Sequence, residues 1–275
     1  MLSYRHAFHA GNHGDVIKHL VLVNVLEYLL RKEAPVLYID THAGAGNYHL
    51  DNAQARKTGE AAEGISALDL AALPQSAESY TNLIHGYLRQ RQYPGSPRIA
   101  ADILRRGDKL RLFELHPTDE PALTRLFQRD RRVKVDRSNG FDSLKALLPA
   151  KNQRALVLID PSYELKSDYD DVANSVLLGY QRMPNCLFLI WYPVVQRKLV
   201  NRMIRGLEKG GVRDLWQLEL GLEEDSDDYG MTASGMLVIN PPWVLADQMR
   251  ALLPAIQQQL APENGFSQVK QLVPE

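Results

Sequence analysis

The chain has 275 residues, 45% of them hydrophobic and 24% charged, with a formal net charge of -1. That is ordinary for a soluble globular protein long enough to bury a sizeable core without covalent staples. It excludes a disulfide scaffold, because Cys186 is the single cysteine, and a strong overall basic field, although local patches matter more than totals for nucleic-acid binding. Cys186 sits in NCLFLIWYP and reads as a small buried apolar residue, a usage that fits a cytoplasmic location. No apolar run reaches the roughly 18 residues of a membrane span. The opening MLSYRHAFHAGNHGD lacks the apolar core of a signal peptide.

In chain order, the spacing of Val16, Leu20, Val23 and Leu30 predicts a helix over 16–33, ended by Pro35. VLYID (36–40) is a short buried strand, followed by THAGAGNYHL. Residues 51–97 hold helical runs and no strong strand, and read as a helical insertion; a helix over 97–106 leads back to the sheet. Strands and helices then alternate. The strands are KLRLFEL (109–115), RVKVD (132–136), ALVLID (155–160) and CLFLIWYP (186–193). The helices between them begin near 121, 141, 168 and 195, and LWQLELGL and MLVINPP close the sheet. Such alternation predicts a doubly wound α/β fold. The division follows: residues 1–50 form an amino-terminal lid, helix and first strand, 51–97 the insertion, and 98–275 the remainder.

Several strand ends carry candidate chemistry. After Asp40, Gly44 and Gly46 allow a tight turn beside a ligand. The third glycine of a dinucleotide site is replaced by His49, which disfavours a nicotinamide cofactor and leaves either a glycine loop of the methyltransferase kind or a plain turn. Glu114 ends the next strand, where an acid commonly takes a ribose hydroxyl pair; alone it reads as readily as a surface acid. Asn139 and Phe141 in RSNGF suit an adenine ring, or merely a turn.

ALVLIDPSYE poses the sharpest question, because a buried strand stops in Asp160, Pro161, Ser162 and Tyr163. An exocyclic amine on adenine is a poor nucleophile, since its lone pair is delocalised into the ring. Two acceptors aimed at its N–H bonds favour a geometry with a free lone pair. Asp160 and the Pro161 carbonyl can supply them, and Tyr163 can stack on an extruded base. The plain alternative is a turn. The amino-terminal cluster of Tyr4, Arg5, His6, His9, Asn12, His13, Lys18 and His19 lacks a recognised metal-ligand signature. It reads as a polar lid over a nucleotide ligand or as a solvated terminus. Basic runs at 105–111, 129–137 and 196–205 are ordinary solvated faces singly and a patch together, and the acidic run 223–230 reads as an exposed loop.

The segments MLSYRHAFHAGNHGDVIKH, YIDTHAGAGNY, YPGSP, FELHP, DPSYE, WYPVV, GMTASGMLVINPPW and VPE resemble, nearly end to end, the RlmJ family of bacterial 23S ribosomal RNA adenine-N6 methyltransferases. That family has also carried a label for use of external DNA. The resemblance implies a class I methyltransferase fold, Rossmann-like and mostly parallel with a small helical insertion, using S-adenosylmethionine (SAM) and no metal. It implies cofactor contacts at Lys18, His19, His42, Ser96, Glu114, Asn139 and Gly140, to which the strand-end reading adds Asp40, Gly44 and Asp160. Asp160, Pro161 and Tyr163 would be catalytic, and Tyr4, His6 and Tyr163 would bind substrate. The implied partner is 23S RNA, protein-free or in an early precursor, with no membrane and no obligate protein partner. A DNA adenine methyltransferase or a DNA-utilisation factor on the same fold is the alternative. Two positions depart from the family pattern: Ser162 replaces a second proline, and Asn139 stands where an aspartate is expected. Asn139 keeps a carbonyl oxygen but not the charge, which implies weaker cofactor binding.

Overall fold

The structure, a computed structural model, describes residues 4–226 and 230–275. Residues 1–3 of the opening segment, and 227–229 of the acidic run, lie outside the described residues; Glu223 to Ser226 are exposed.

In chain order the strands are β1 (Val36–Asp40), β2 (Asn47–His49), β3 (Gln92–Pro94), β4 (Lys109–Phe113) and β5 (Val133–Asp136), then β6 (Arg154–Ile159), β7 (Leu187–Val194), β8 (Leu215–Gly221), β9 (Ala233–Ile239) and β10 (Phe266–Val273). The helices are α1 (His13–Leu30), α2 (Ala53–Thr58), α3 (Glu60–Glu63), α4 (Glu78–Leu88) and α5 (Ser96–Ile103), then α6 (Asp119–Phe127), α7 (Gly140–Leu147), α8 (Asp168–Arg182), α9 (Arg197–Lys209) and α10 (Leu245–Leu260). One sheet takes eight strands in the order β5-β4-β1-β6-β7-β9-β8-β10. The first five are parallel. β9 lies antiparallel between β7 and β8, and β10 closes the far edge antiparallel to β8. Helices cover both faces, so β1 is buried along its whole length and β6 from Ala155 to Ile159, as their unbroken apolar runs require.

The register sets the site. Asp40 pairs with Leu112 on β4 and Leu158 on β6, so the three strands finish level at one edge. There the chain leaves each strand in a loop, which is where doubly wound sheets bind ligands.

α1 starts and ends three residues before the helix predicted over 16–33. Asn12 caps it, its side chain accepting from the Asp15 N–H. The helix is buried on every side, and the burial includes His13, Asp15, Lys18, His19 and Asn24. Residues 51–97 hold α2, α3, α4 and three short 3-10 turns, and β2 and β3 pair at the two ends of this stretch, clipping its entry to its exit. α10 and β10 were not predicted. Pro254 inside α10 masks its helical pattern, and β10 is an edge strand exposed at alternate positions.

Candidate active site

A cavity of about 590 Å³ opens at the carboxyl edge of the parallel strands, within the size of small-molecule sites. Its lining brings together Tyr4, His6, Lys18, His19, His42, Gly44, Ser96, Glu114, Asn139, Gly140, Asp160 and Pro161 from the sequence reading. Two predicted residues do not line it.

Asp40 is one of these. It is fully buried beneath the floor, where Oδ2 accepts from the Ser96 hydroxyl at 2.7 Å and the Tyr38 hydroxyl at 2.8 Å. Burial pushes its carboxyl up to about 6 despite these donors. Asp40 thus holds Ser96, which does face the cavity, instead of meeting a ligand itself. Tyr163 is the other. Its backbone is left-handed, with φ 52°, and its hydroxyl donates to the Trp191 carbonyl at 2.6 Å. Its ring packs 4.5 Å from that of Tyr169, behind the Asp160–Pro161 corner. Stacking on a base from this position requires the ring to swing out.

The glycine loop is a shaped cradle. Gly44 and Gly46 have φ 60° and 79°, the left-handed region that favours glycine. A Cβ on Gly44 would also strike the Tyr48 hydroxyl. Glu114 stands over this loop, with Oε2 accepting the Gly44 N–H at 2.8 Å and Oε1 the His116 N–H at 2.6 Å. Burial raises its pKa, and each oxygen keeps a second lone pair for a diol. Gly140 opens α7 against β1, and a Cβ there would collide with the Thr41 carbonyl. Asn139 caps α7 through Oδ1 to the Phe141 N–H at 3.0 Å, which leaves its amide at the rim. His42 lies edge-on to Phe141 at 4.7 Å, and burial lowers its pKa to about 3, so the ring is neutral at pH 7. A turning backbone, an acid placed for a ribose and a neutral ring fit the nucleoside and methionine parts of SAM.

The opposite wall is a chain of polar contacts. Lys18 Nζ lies 2.6 Å from Asp160 Oδ2 and 2.7 Å from Asp15 Oδ1. Asp15 Oδ2 also accepts the Gly11 N–H at 2.8 Å and meets His6 Nε2 at 2.9 Å; His6 Nδ1 lies 3.0 Å from the Tyr4 hydroxyl. Burial alone would lower the pKa of Lys18, but the carboxylates of Asp15 and Asp160 override it and raise it. Burial alone would raise that of Asp15, but His6 and Lys18 hold it well below the usual carboxylate range. His19 is enclosed, with Nδ1 3.0 Å from the Tyr93 hydroxyl. The lid is therefore wired to Asp160 through Asp15, a residue the sequence reading passed over. The lid is also held from outside the sheet. His9 Nδ1 meets Glu60 Oε1 at 2.7 Å, and Asn12 donates to Glu60 Oε2 at 3.0 Å. The Thr58 hydroxyl donates to the Phe8 carbonyl.

Sequence reasoning also missed Tyr48, His116 and Asp119, which line the cavity. His116 and Asp119 follow Glu114 within FELHPTD, and an acid-and-histidine cluster just past a strand end was the available signal.

The strand order, with an antiparallel strand between the fifth and sixth of the doubly wound set, and a cavity at the carboxyl edge are those of a class I SAM-dependent methyltransferase fold. The family profile described as "Ribosomal RNA large subunit methyltransferase D, RlmJ" matches residues 33–273. Two curated relatives, from Escherichia coli (strain K12) and Haemophilus influenzae, each called ribosomal RNA large subunit methyltransferase J, are 49% and 48% identical over the whole of both chains. A solved structure of a Legionella pneumophila protein is 33% identical, with a TM-score of 0.89 over 96% of this chain and 98% of that one. The chain belongs to the RlmJ family and is a methyltransferase.

Proposed function

We propose that this enzyme transfers the methyl group of SAM to the N6 amine of an adenine in 23S ribosomal RNA. The observation that carries the reading is the meeting, in one cavity, of the glycine loop with Glu114 and the Asp160–Pro161 corner. The first pair suits the nucleoside of a cofactor, and the second holds the amine of a base. The relatives bearing the ribosomal name support the choice of RNA.

SAM, when bound, supplies a methyl group on a positively charged sulfur. Everything else is done by the chain. Glu114 anchors the ribose through paired acceptors. His42 is neutral, so it adds no positive charge beside the sulfonium. Lys18 takes Oδ2 of Asp160, leaving Oδ1 to accept one N–H of the target amine. The Pro161 carbonyl accepts the other, and the nitrogen lone pair is turned toward the methyl. Methyl transfer from SAM would leave the amine nitrogen cationic and strongly acidic. Its proton passes to water while Asp160, paired with Lys18, orients the amine. Tyr4 and His6 close the cavity over an extruded base. Tyr163 stacks on that base after releasing the Trp191 carbonyl. On this reading the substrate is cytoplasmic RNA whose target adenine is still accessible, either protein-free or in an early precursor.

The test is methylation of unmodified 23S RNA and of DNA side by side, with the parent and with Asp160→Ala. RNA labelling that disappears in the variant, with SAM affinity retained by calorimetry, is the expected outcome. Transfer to DNA alone refutes the reading.

A further inference from the structure

The basic run 129–137 of the sequence holds five cations and two carboxylates, on a chain whose net charge is -1. The fold stretches this run along β5, the outermost strand of the sheet. At its start, Arg129 and Arg131 join Arg106 and Lys109 around a groove of about 750 Å³. This groove lies at the amino ends of β4 and β5, the sheet edge away from the active site, as the bond from the Leu110 N–H to the Arg132 carbonyl shows. Lys134 lies midway, with 63% of its side chain exposed, and pairs with Asp136 at 2.8 Å. Arg137 ends the run, exposed beside Ser138 and Asn139, which line the main cavity. The stretch from Arg131 to Arg137 spans about 20 Å of extended chain.

These cations are not all alike. Arg132 is structural, since it donates to the Leu104 and Ala101 carbonyls and pairs with Asp130. Among the described residues, Arg106, Lys109, Arg129, Arg131 and Arg137 form no ion pair with a carboxylate. Guarding an exposed edge strand needs only a lysine such as Lys134. Several unpaired cations beyond it, continued into a groove, exceed that need. On the β6 side of the cavity, by contrast, Asp168 and Asp171 at the start of α8 form part of the wall and repel a polyanion. Screening confines each surface charge to about 8 Å, so a phosphate chain leaving the cavity is held only where cations follow one another.

We infer that the RNA backbone flanking the target adenosine runs along β5 from Arg137 into the groove of Arg106, Lys109, Arg129 and Arg131. The inference rests on the RNA-methyltransferase reading above. The contacts are to phosphates, so they position the substrate and add affinity without reading sequence.

The test combines Arg129→Glu, Arg131→Glu and Arg137→Glu in one variant. A comparison variant carries Arg205→Glu and Lys209→Glu on α9, at the end of the remaining basic run and one turn beyond it. Methyl transfer to unmodified 23S transcript is measured over a series of salt concentrations, with SAM affinity measured by calorimetry. For the β5 variant, KM for RNA rises at least about tenfold with kcat little changed, and the slope of log KM against log salt becomes shallower by about 2. SAM affinity stays at the parent value, and the α9 variant resembles the parent. If the reversals reduce SAM affinity, the glutamine versions at the same positions replace them, with the same direction expected. An unchanged KM in the β5 variant, or an equal rise in the α9 variant, overturns the inference alone. A parent enzyme that transfers nothing to RNA overturns the functional reading, and this inference with it.

Discussion

Replacing Asp15 with asparagine tests the wiring between the lid and the catalytic corner. Asp15 is 1% exposed: Oδ2 accepts the Gly11 N–H at 2.8 Å and meets His6 Nε2 at 2.9 Å, Oδ1 forms an ion pair with Lys18 at 2.7 Å, and His19 Nε2 stands 3.9 Å away. An asparagine of the same shape must point its NH₂ at one of these donors. Breaking a buried ion pair by removing one partner costs about 3–5 kcal/mol. Lys18 keeps Asp160 as a partner, so the lower end, about 3 kcal/mol, applies. Calorimetry should show a melting temperature lower by about 6–12 °C. Methyl transfer should suffer beyond the loss of stability, because Lys18 is no longer aimed and His6 is released. A cost of that size at the transition state lowers kcat/KM by about 100-fold. The assay is transfer to RNA well below the new melting temperature, with Asp15→Glu as the partial rescue. Parent-like kcat/KM in Asp15→Asn, with melting within about 2 °C of the parent, would show that Asp160 alone holds Lys18, and would refute the reasoning.

Ser162→Pro should leave transfer intact or raise it: among the described residues no group accepts a bond from the Ser162 N–H, and the two acceptors before it do not change. A large loss of methyl transfer would reveal a role for the serine. Gly140→Ala should push α7 off the Thr41 carbonyl, costing about 1–3 kcal/mol in denaturant unfolding and weakening SAM binding by calorimetry. Acid should destabilise the fold below pH 6.5. Burial lowers the pKa of His13 to about 4 and of His19 and His42 to about 3, so the unfolded chain takes up their protons first as pH falls. Each then costs about 1.4 kcal/mol at pH 5.5. Asp40, held at about 6, gains a proton in the folded state over the same range and returns slightly under about 1 kcal/mol. Unfolding free energies from denaturant titrations at pH 7 and 5.5 should therefore differ by about 3 kcal/mol, and His19→Asn should reduce the difference by about 1 kcal/mol. Equal midpoints would contradict the burial argument.

The parallel half of the sheet was legible because β1, β6 and β7 are buried on both faces and read as nearly unbroken apolar runs, while β4 and β5 follow in a strand–helix alternation. Its strand-end residues were legible because parallel strands deliver their chemistry to one edge, so Gly44, Glu114 and Asp160 had to be neighbours. What failed depended on direction or on distance in space. A carboxylate at a strand end turns up to a ligand or down to the core, and Asp40 turned down to Ser96 and Tyr38. Tyr163 was one residue past a corner whose left-handed turn the letters do not show. Asp15 meets Lys18 within one helix but matters through Asp160, 142 residues further from Lys18 along the chain. α1 lacked a polar face because sheet and helices enclose it, so periodicity misplaced its ends, although Asn12 marked its true start. β2 and β3, three residues each, are too short to show any pattern.

The grip of the insertion on the lid separates two properties that most active sites entangle. The partners of His9, Asn12 and Phe8 are Glu60 and Thr58, and the Ile65 N–H donates to the Gly11 carbonyl at 2.8 Å. None of these partners belongs to the sheet or touches the cavity. On the proposed function, loosening or tightening them would change how long a substrate stays enclosed while the acceptors assigned to the amine remain in place. Dwell time and chemistry are thus adjustable by separate substitutions, the first within residues 51–97 and the second at the strand ends.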